Sequence, residues 1–297
     1  MRLAVTGKSG QVVSALQALA SNELEIVSLG RPELDLSHPE TVSKALRDAK
    51  PDVVISAAAY TAVDKAESEP EIAFAVNRDG AKEVAQAAKE LCVPVIHLST
   101  DYVFDGTKAT AYMESDPTGP SSVYGRSKLE GERAVAEATD NYVVLRTAWV
   151  YSEYGNNFVK TMLRLSENRD EINVVADQFG CPTSANDIAA AVVTIARKLV
   201  EDSSSRLRGV FHLSGTGETN WANFAKQIFV FAEEHGGKSM IVNDITTAQY
   251  PTPARRPANS RLDCSKLEEV YEIRLPDWQK STRAVVSALA HIKEEQP

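Results

Sequence analysis

Tyr124 and Lys128 stand four residues apart in the run Tyr124-Gly125-Arg126-Ser127-Lys128. On a helix that spacing puts phenol and ammonium on the same face. A lysine held beside a phenol favours the phenolate and draws its pKa from about 10 toward neutrality, which makes the tyrosine a useful proton donor or acceptor. The same spacing also occurs in plain exposed helix pairs, so the inference needs a further group. Ser99-Thr100-Asp101 supplies it, at the end of an expected strand. Thr100 would present its hydroxyl to the same carbonyl oxygen that Tyr124 protonates. Thr100, Tyr124 and Lys128 are therefore the expected catalytic set, with Lys128 steadying the phenolate and Thr100 hydrogen-bonding the developing alkoxide.

Reducing a carbonyl also takes a hydride, and the N-terminus offers a place for its carrier. Thr6-Gly7-Lys8-Ser9-Gly10-Gln11 follows one strand and opens a helix. Gly7 permits the tight turn, and Gly10 lets the backbone approach a pyrophosphate at the positive end of the helix. The competing reading is an ordinary glycine turn, and Val13 stands where a third small residue is usual. Gly-Lys-Ser lacks the spacing of a nucleotide-hydrolase phosphate loop. The next strand ends Leu29-Gly30-Arg31, without the carboxylate that holds a ribose 2′-hydroxyl. Arg31 suits a 2′-phosphate, so NADPH is the expected cofactor and NADH the alternative; a solvated surface arginine is the competing reading. Asp35 and Leu36 follow in a loop that would meet the adenine, and Ala57-Ala58-Ala59-Tyr60-Thr61 offers small residues for the cofactor to pass.

The elements that must position these residues are legible as alternation. Short apolar runs (2–6, 25–29, 53–56, 93–99 and 142–147) read as strands, and 11–20, 40–49, 71–91 and 123–137 read as helices. Strands alternating with crossover helices predict an α/β fold, a doubly wound parallel sheet of Rossmann type with ligands at the strands' carboxyl ends. After Trp149 the pattern turns helical and loop-rich, which predicts a smaller C-terminal substrate-binding region. The expected division is a dinucleotide-binding part over 1–150, rejoined by about 187–215, and a substrate part over 151–186 and 216–297. Within the returning stretch, 209–214 reads as a further strand.

Hydrophobic residues make up 43% and charged residues 25%, enough apolar matter for a sizeable core. The net charge of −9 and the absence of any Lys/Arg run longer than two argue against a nucleic-acid partner. No apolar stretch is long enough for a membrane helix, so no membrane partner is expected. Three scattered cysteines and five scattered histidines match neither a disulfide framework nor a metal set; no metal and a cytoplasmic setting are expected.

These residues resemble the dTDP-4-dehydrorhamnose reductases, a group of extended short-chain dehydrogenases. The resemblance lies in Gly7-Lys8-Ser9-Gly10-Gln11, in 57–67, in Ser99-Thr100-Asp101-Tyr102-Val103-Phe104, in Val123-Tyr124-Gly125 with Lys128, and in Arg146-Thr147-Ala148-Trp149-Val150-Tyr151. It continues through 177–183 and 250–257, nearly the whole chain in order. It implies NAD(P)H-dependent reduction of the 4-keto group of a nucleotide sugar, dTDP-4-dehydro-L-rhamnose. It also implies that Gly10, Gln11, Val12, Asp35, Leu36, Ala59, Tyr60 and Thr61 surround the cofactor. Thr100, Asp101 and Trp149 would contact the sugar nucleotide, and Asn77 would face the active site. Some members carry a glutamate for a magnesium site at a dimer interface; Ser14-Ala15-Leu16 has none, and both monomer and homodimer stay open.

Arg255 and Arg256, with Arg261 near, are the candidates for the diphosphate, since a planar guanidinium suits paired phosphate oxygens. Solvated surface is the competing reading for them, as a core position is for Trp149, His97 and His212. Lys65, Glu67 and Glu69 read as an exposed charged turn. Two further functions deserve weight. An epimerase or dehydratase on the same fold is one, but a dehydratase would need an acid pair after Thr100, where Asp101-Tyr102 stands. A non-catalytic NADP-binding regulatory subunit is the other; retention of both Tyr124 and Lys128 favours an enzyme.

Overall fold

The computed structural model describes residues 1–294. Its first half builds one sheet from short apolar strands, nearly all buried except the edge strand Glu25–Leu29, whose residues are partly exposed. These are β1 (Arg2–Thr6), β2 (Glu25–Leu29), β3 (Val53–Ser56), β4 (Val95–Thr100) and β5 (Tyr142–Thr147). The connecting helices are α1 (Gln11–Ala18), α2 (Glu40–Ala49), α3 (Val63–Ala66), α4 (Pro70–Phe74), α5 (Ala81–Glu90) and α6 (Val123–Ala138). The expected single helix over 71–91 is interrupted by a π-helical turn, Ala75–Gly80, between α4 and α5.

Further on come β6 (Val150–Tyr151), α7 (Phe158–Ser166), β7 (Glu171–Val175), β8 (Phe179–Gly180), β9 (Thr183–Ser184) and α8 (Ala185–Glu201). Then follow β10 (Gly209–His212), β11 (Thr219–Asn220), α9 (Trp221–Glu233), β12 (Ile241–Ile245), α10 (Ser265–Tyr271) and α11 (Trp278–Glu294). The main sheet runs β10-β5-β4-β3-β1-β2, parallel throughout. Its strand order reverses beside β1, which opens the crevice that doubly wound sheets use for ligands. The 209–212 strand thus lies against β5, although more than sixty residues separate them in the chain.

Because both faces are covered, the strands alternate between two cores rather than between core and water. Leu3, Val5, Val53, Ile55, Ile96 and Leu145 meet α1 and α8 on one side. Ala4, Val54 and Val95 meet α2 and α5 on the other. A separate core of Tyr151, Phe224, Phe229, Trp278 and Val285 joins α7, α9 and α11 to the parallel pair β7–β12. β12 ends at Ile245, and irregular chain follows to Pro257 apart from a short 3-10 turn, Thr247–Gln249. No helix among the described residues is long and apolar enough to cross a membrane.

Candidate active site

The glycine turn after β1 has the features a dinucleotide phosphate needs. Gly7 has φ +104°, a region L side chains rarely adopt. α1 starts with no side-chain cap and no acidic residue in its first turn, so its first N–H groups face outward unclaimed. Val13, the departure from the glycine pattern, is buried with a methyl 3.3 Å from where a Cβ on Gly7 would stand, so valine fills the underside of the turn. Thr6 accepts from the N–H groups of Ala57 (3.0 Å) and Ala58 (2.9 Å), which ties the loop after β3 to the same turn. These residues fit an NADP-type cofactor.

Around that cradle the expected residues divide. Gly10, Val12, Ala59, Tyr60 and Thr61 line its two loops with partly or fully exposed surface, and Arg31 is exposed at the end of β2. Asp35 closes a turn on the Ser37 N–H and hydroxyl. Leu36 is buried, its Cβ 2.6 Å from where a side chain on Gly80 would begin. The side chain of Gln11 reaches the other way: its Nε2 donates to the Val150 carbonyl, and its Oε1 accepts from Ser152 and Asn157.

Helix α6, which carries Tyr124 and Lys128, is fixed at its start by two caps. Ser122 accepts from Gly125 N, and Glu67 accepts from Val123 N at 2.8 Å. Glu69 accepts the Tyr60 hydroxyl. The charged turn read as mere surface therefore holds both the helix and the cofactor loop. Asn77, inside the π-helical turn, exchanges two hydrogen bonds with the Tyr60 backbone and donates to Ser127 at 2.9 Å. It links the cofactor loop to the segment between Tyr124 and Lys128, a common use of such turns.

At the carboxyl end of β4, Thr100 accepts from Tyr102 N and donates to Asp101 Oδ1 at 2.9 Å. Asp101 is 4% exposed, its other oxygen has no hydrogen-bond partner among the described residues, and burial pushes its carboxyl up to about 6. The nearby Ser260 hydroxyl moderates that rise. Tyr124 packs edge-on to Tyr102, with ring centres 5.6 Å apart. Its phenol is raised far above its ordinary value, first by burial and then by the Asp101 charge, while a hydrogen bond with Thr100 pulls the other way.

That result corrects the expectation drawn from the four-residue spacing. Lys128 shares the face but gives its ammonium to the Leu98 carbonyl (2.7 Å) and His97 Nε2 (3.2 Å), so the lysine does not depress the phenol here. Burial brings Lys128 down to about 8, and the Glu132 carboxylate partly offsets this. Glu132 lies one turn further along α6, paired with buried Arg146 at 2.7 Å and accepting the Ser99 hydroxyl.

On the substrate side Trp149 follows β5 with φ +51°, a strained value for a non-glycine residue. Its ring stacks on Trp221 at 3.6 Å and covers Gly180, where a Cβ would stand 2.4 Å from the ring. Arg256 donates to the Tyr102 hydroxyl (3.0 Å) and to Asp64 (2.6 Å), while Arg255 is exposed. Both arginines line a cavity of about 760 Å³ with Lys108, Phe179, Tyr250 and Arg261. The cavity adjoins Tyr102 through Arg256 and does not include Tyr124 or Lys128 in its lining. The sequence reading missed Thr6, Asp64, Glu67, Glu132 and Trp221. Thr6, Asp64 and Glu67 lie inside quoted motifs; Glu132 and Trp221 carried no sequence signal.

The family pattern described as the RmlD substrate binding domain matches residues 1–291. The chain is 63% identical over 289 residues to the dTDP-4-dehydrorhamnose reductase of Sinorhizobium fredii, covering 97% of this chain and 98% of that protein. The crystal structure of a dTDP-4-dehydrorhamnose reductase from Clostridium acetobutylicum superposes with a TM-score of 0.90 at 36% identity, covering 97% of this chain and 99% of that one. The reductase from Bacillus anthracis, solved in complex with NADP, gives 0.89 at 35% identity, with the same coverage. With its glycine turn, its Thr100–Tyr124–Lys128 set and this full-length match, the chain belongs to the dTDP-4-dehydrorhamnose reductase family.

Proposed function

We propose that this protein reduces the 4-keto group of dTDP-4-dehydro-L-rhamnose to yield dTDP-L-rhamnose, using NADPH ahead of NADH. The observation that carries the reading is the meeting of Thr100, Asp101 and Tyr124 at the carboxyl end of β4, on the same sheet edge as an uncapped glycine turn. NADPH, when bound, supplies the hydride that the ketone carbon receives. Gly7, Gly10, Gln11 and Val12 would hold its pyrophosphate through backbone, Arg31 its 2′-phosphate, and Asp35, Leu36, Ala59, Tyr60 and Thr61 would border the rest.

Tyr124 donates its phenolic proton to the ketone oxygen. The raised pKa keeps the phenol protonated through the physiological range, so the transfer depends on groups that stabilise the phenolate left behind. Lys128 has three N–H groups and spends two on Leu98 and His97, leaving one for the phenolate or the nicotinamide ribose. Thr100 turns its hydroxyl from Asp101 toward the developing alkoxide, and Asp101 meets a sugar hydroxyl with its unpaired oxygen. Trp149 forms a wall for the hexose. Arg255, exposed beside the cavity, is the freer partner for the diphosphate; Arg256 orders the loop and offers its remaining donors. In this reading 1–150 with 187–215 serves the cofactor, the remaining residues serve the substrate, and the three free thiols suit a cytoplasmic setting as monomer or homodimer.

The test is NADPH oxidation with dTDP-4-keto-6-deoxyhexose and the 3,5-epimerase that forms the substrate. Wild type should turn over, and Tyr124→Phe should lower kcat about 10²–10⁴-fold with cofactor Kd unchanged. Near-normal turnover by the variant would remove Tyr124 from the chemistry. An inactive wild type that still bound NADPH would favour the regulatory-subunit alternative.

A further inference from the structure

Behind Lys128 lies a buried polar chain that the reduction as described does not use. His97, on β4, is 1% exposed and sits between Lys128 Nζ (3.2 Å, to Nε2) and Ser56 Oγ (3.0 Å, to Nδ1). Ser56, the last residue of β3, is also 1% exposed, and Lys128 is 2% exposed. Three elements thus bring three buried polar side chains together. A buried polar group without a partner is costly, so this chain has a consistent direction.

A charged lysine is donor only. To accept from it, His97 Nε2 must carry no proton, so the ring hydrogen sits on Nδ1 and goes to Ser56 Oγ. The ring must also be neutral, since an imidazolium would face the ammonium with like charge. Burial and the Lys128 charge hold His97 well below its ordinary value, in the same sense. The ionisable groups around Lys128 are Tyr124 and Glu132 on its own helix, Arg146 on β5, and His97 on β4. Among the described residues, its N–H groups go to His97 and the Leu98 carbonyl.

We propose that His97 is a positioning residue for the reduction: its neutral ring, locked in one tautomer by Ser56, holds the Lys128 ammonium in place and in its charged form. The inference rests on the reductase reading for its kinetic consequence but not for its geometry. Removing the acceptor leaves a buried ammonium short of a partner, which favours loss of its proton and lets the side chain swing. The neutral form then appears at lower pH, and the alkaline limb of the kcat profile moves to lower pH with it.

Two variants separate this role from a merely structural one. His97→Leu fills the space without an acceptor; His97→Gln restores an acceptor oxygen without the ring. His97→Leu should lose about tenfold or more in kcat, with KM for the sugar nucleotide within about twofold and the alkaline limb displaced downward. His97→Gln should recover most of the rate and the wild-type limb. Histidine ring ¹⁵N spectra of the cofactor-free wild type should show a neutral ring protonated at Nδ1 across pH 5–9. A ring protonated at Nε2, or one titrating near its ordinary value, would overturn the proposal whether or not His97→Leu folds. So would a folded His97→Leu with unchanged rate and limb. A wild type inactive on the nucleotide sugar would count against the reductase reading alone, because the ring spectra need no substrate.

Discussion

The side we assign to the cofactor and the side we assign to the substrate use the same device with different partners. On the cofactor side α6 crosses the π-helical turn so closely that a Cβ on Gly131 would stand 2.1 Å from the Asn77 carbonyl oxygen. The surrounding contacts are buried and polar: Asn77 to Ser127, His97 to Lys128, Glu132 to Arg146. On the substrate side the absent Cβ of Gly180 makes room for the Trp149 ring, within an aromatic group that includes Trp221, Phe158 and Phe224. Backbone facing backbone cannot yield without moving two elements. A ring facing backbone yields if its stacking partner does. The first region is therefore set by chain geometry and hydrogen bonds, the second by side-chain packing.

The contrast breaks first at Gly131. Gly131→Ala should cost on the order of 3 kcal/mol, because neither Asn77 nor α6 can give way, and chemical denaturation would read it. A cost below about 1 kcal/mol would show slack where the structure has none.

The seam between the regions gives the next effect. Asp101 holds its proton more tightly folded (about 6) than unfolded (3.8), so stability falls as pH rises through that interval and stays lowered above it. Asp101→Asn, which carries no charge, should stabilise the protein by about 2–3 kcal/mol at pH 8 and by almost nothing at pH 3.5. Thermal melting at the two pH values checks it, and an equal gain at both would place the cause elsewhere.

The smallest effect sharpens the substrate side. Gly180→Ala should cost about 1–2 kcal/mol as the ring of Trp149 shifts, with a change in tryptophan emission. Cofactor Kd should hold while kcat/KM for the sugar nucleotide falls. If cofactor binding weakened equally, the two regions would not be separable in this way.

Much of the cofactor side was legible in the chain. The runs Val53-Val54-Ile55 and Val143-Val144-Leu145 announce strands buried on both faces, and Gly7 with Gly10 announces the turn between β1 and α1. Tyr124 and Lys128 were legible as a pair because one helix fixes their separation. The consequence drawn from that pair was not, since the spacing says nothing of what else competes for the ammonium. Leu98 and His97 do, from a different element. The break in the helix over 71–91 was also hidden: nothing in Ala75-Val76-Asn77 marks a π turn, and the bonds Asn77 makes there to Tyr60 and Ser127 come from distant segments.

Local order along the chain thus determined the doubly wound sheet, the glycine turn and the face shared by phenol and amine, because each depends on residues within one or two elements. Tertiary structure alone decided the partners. Arg256 meets Asp64 across 192 residues, Gln11 meets Asn157 across 146, and Trp149 finds Trp221. Those pairings depend on the order of strands in the sheet and on which groups burial leaves without water, and neither is written in any single stretch of sequence.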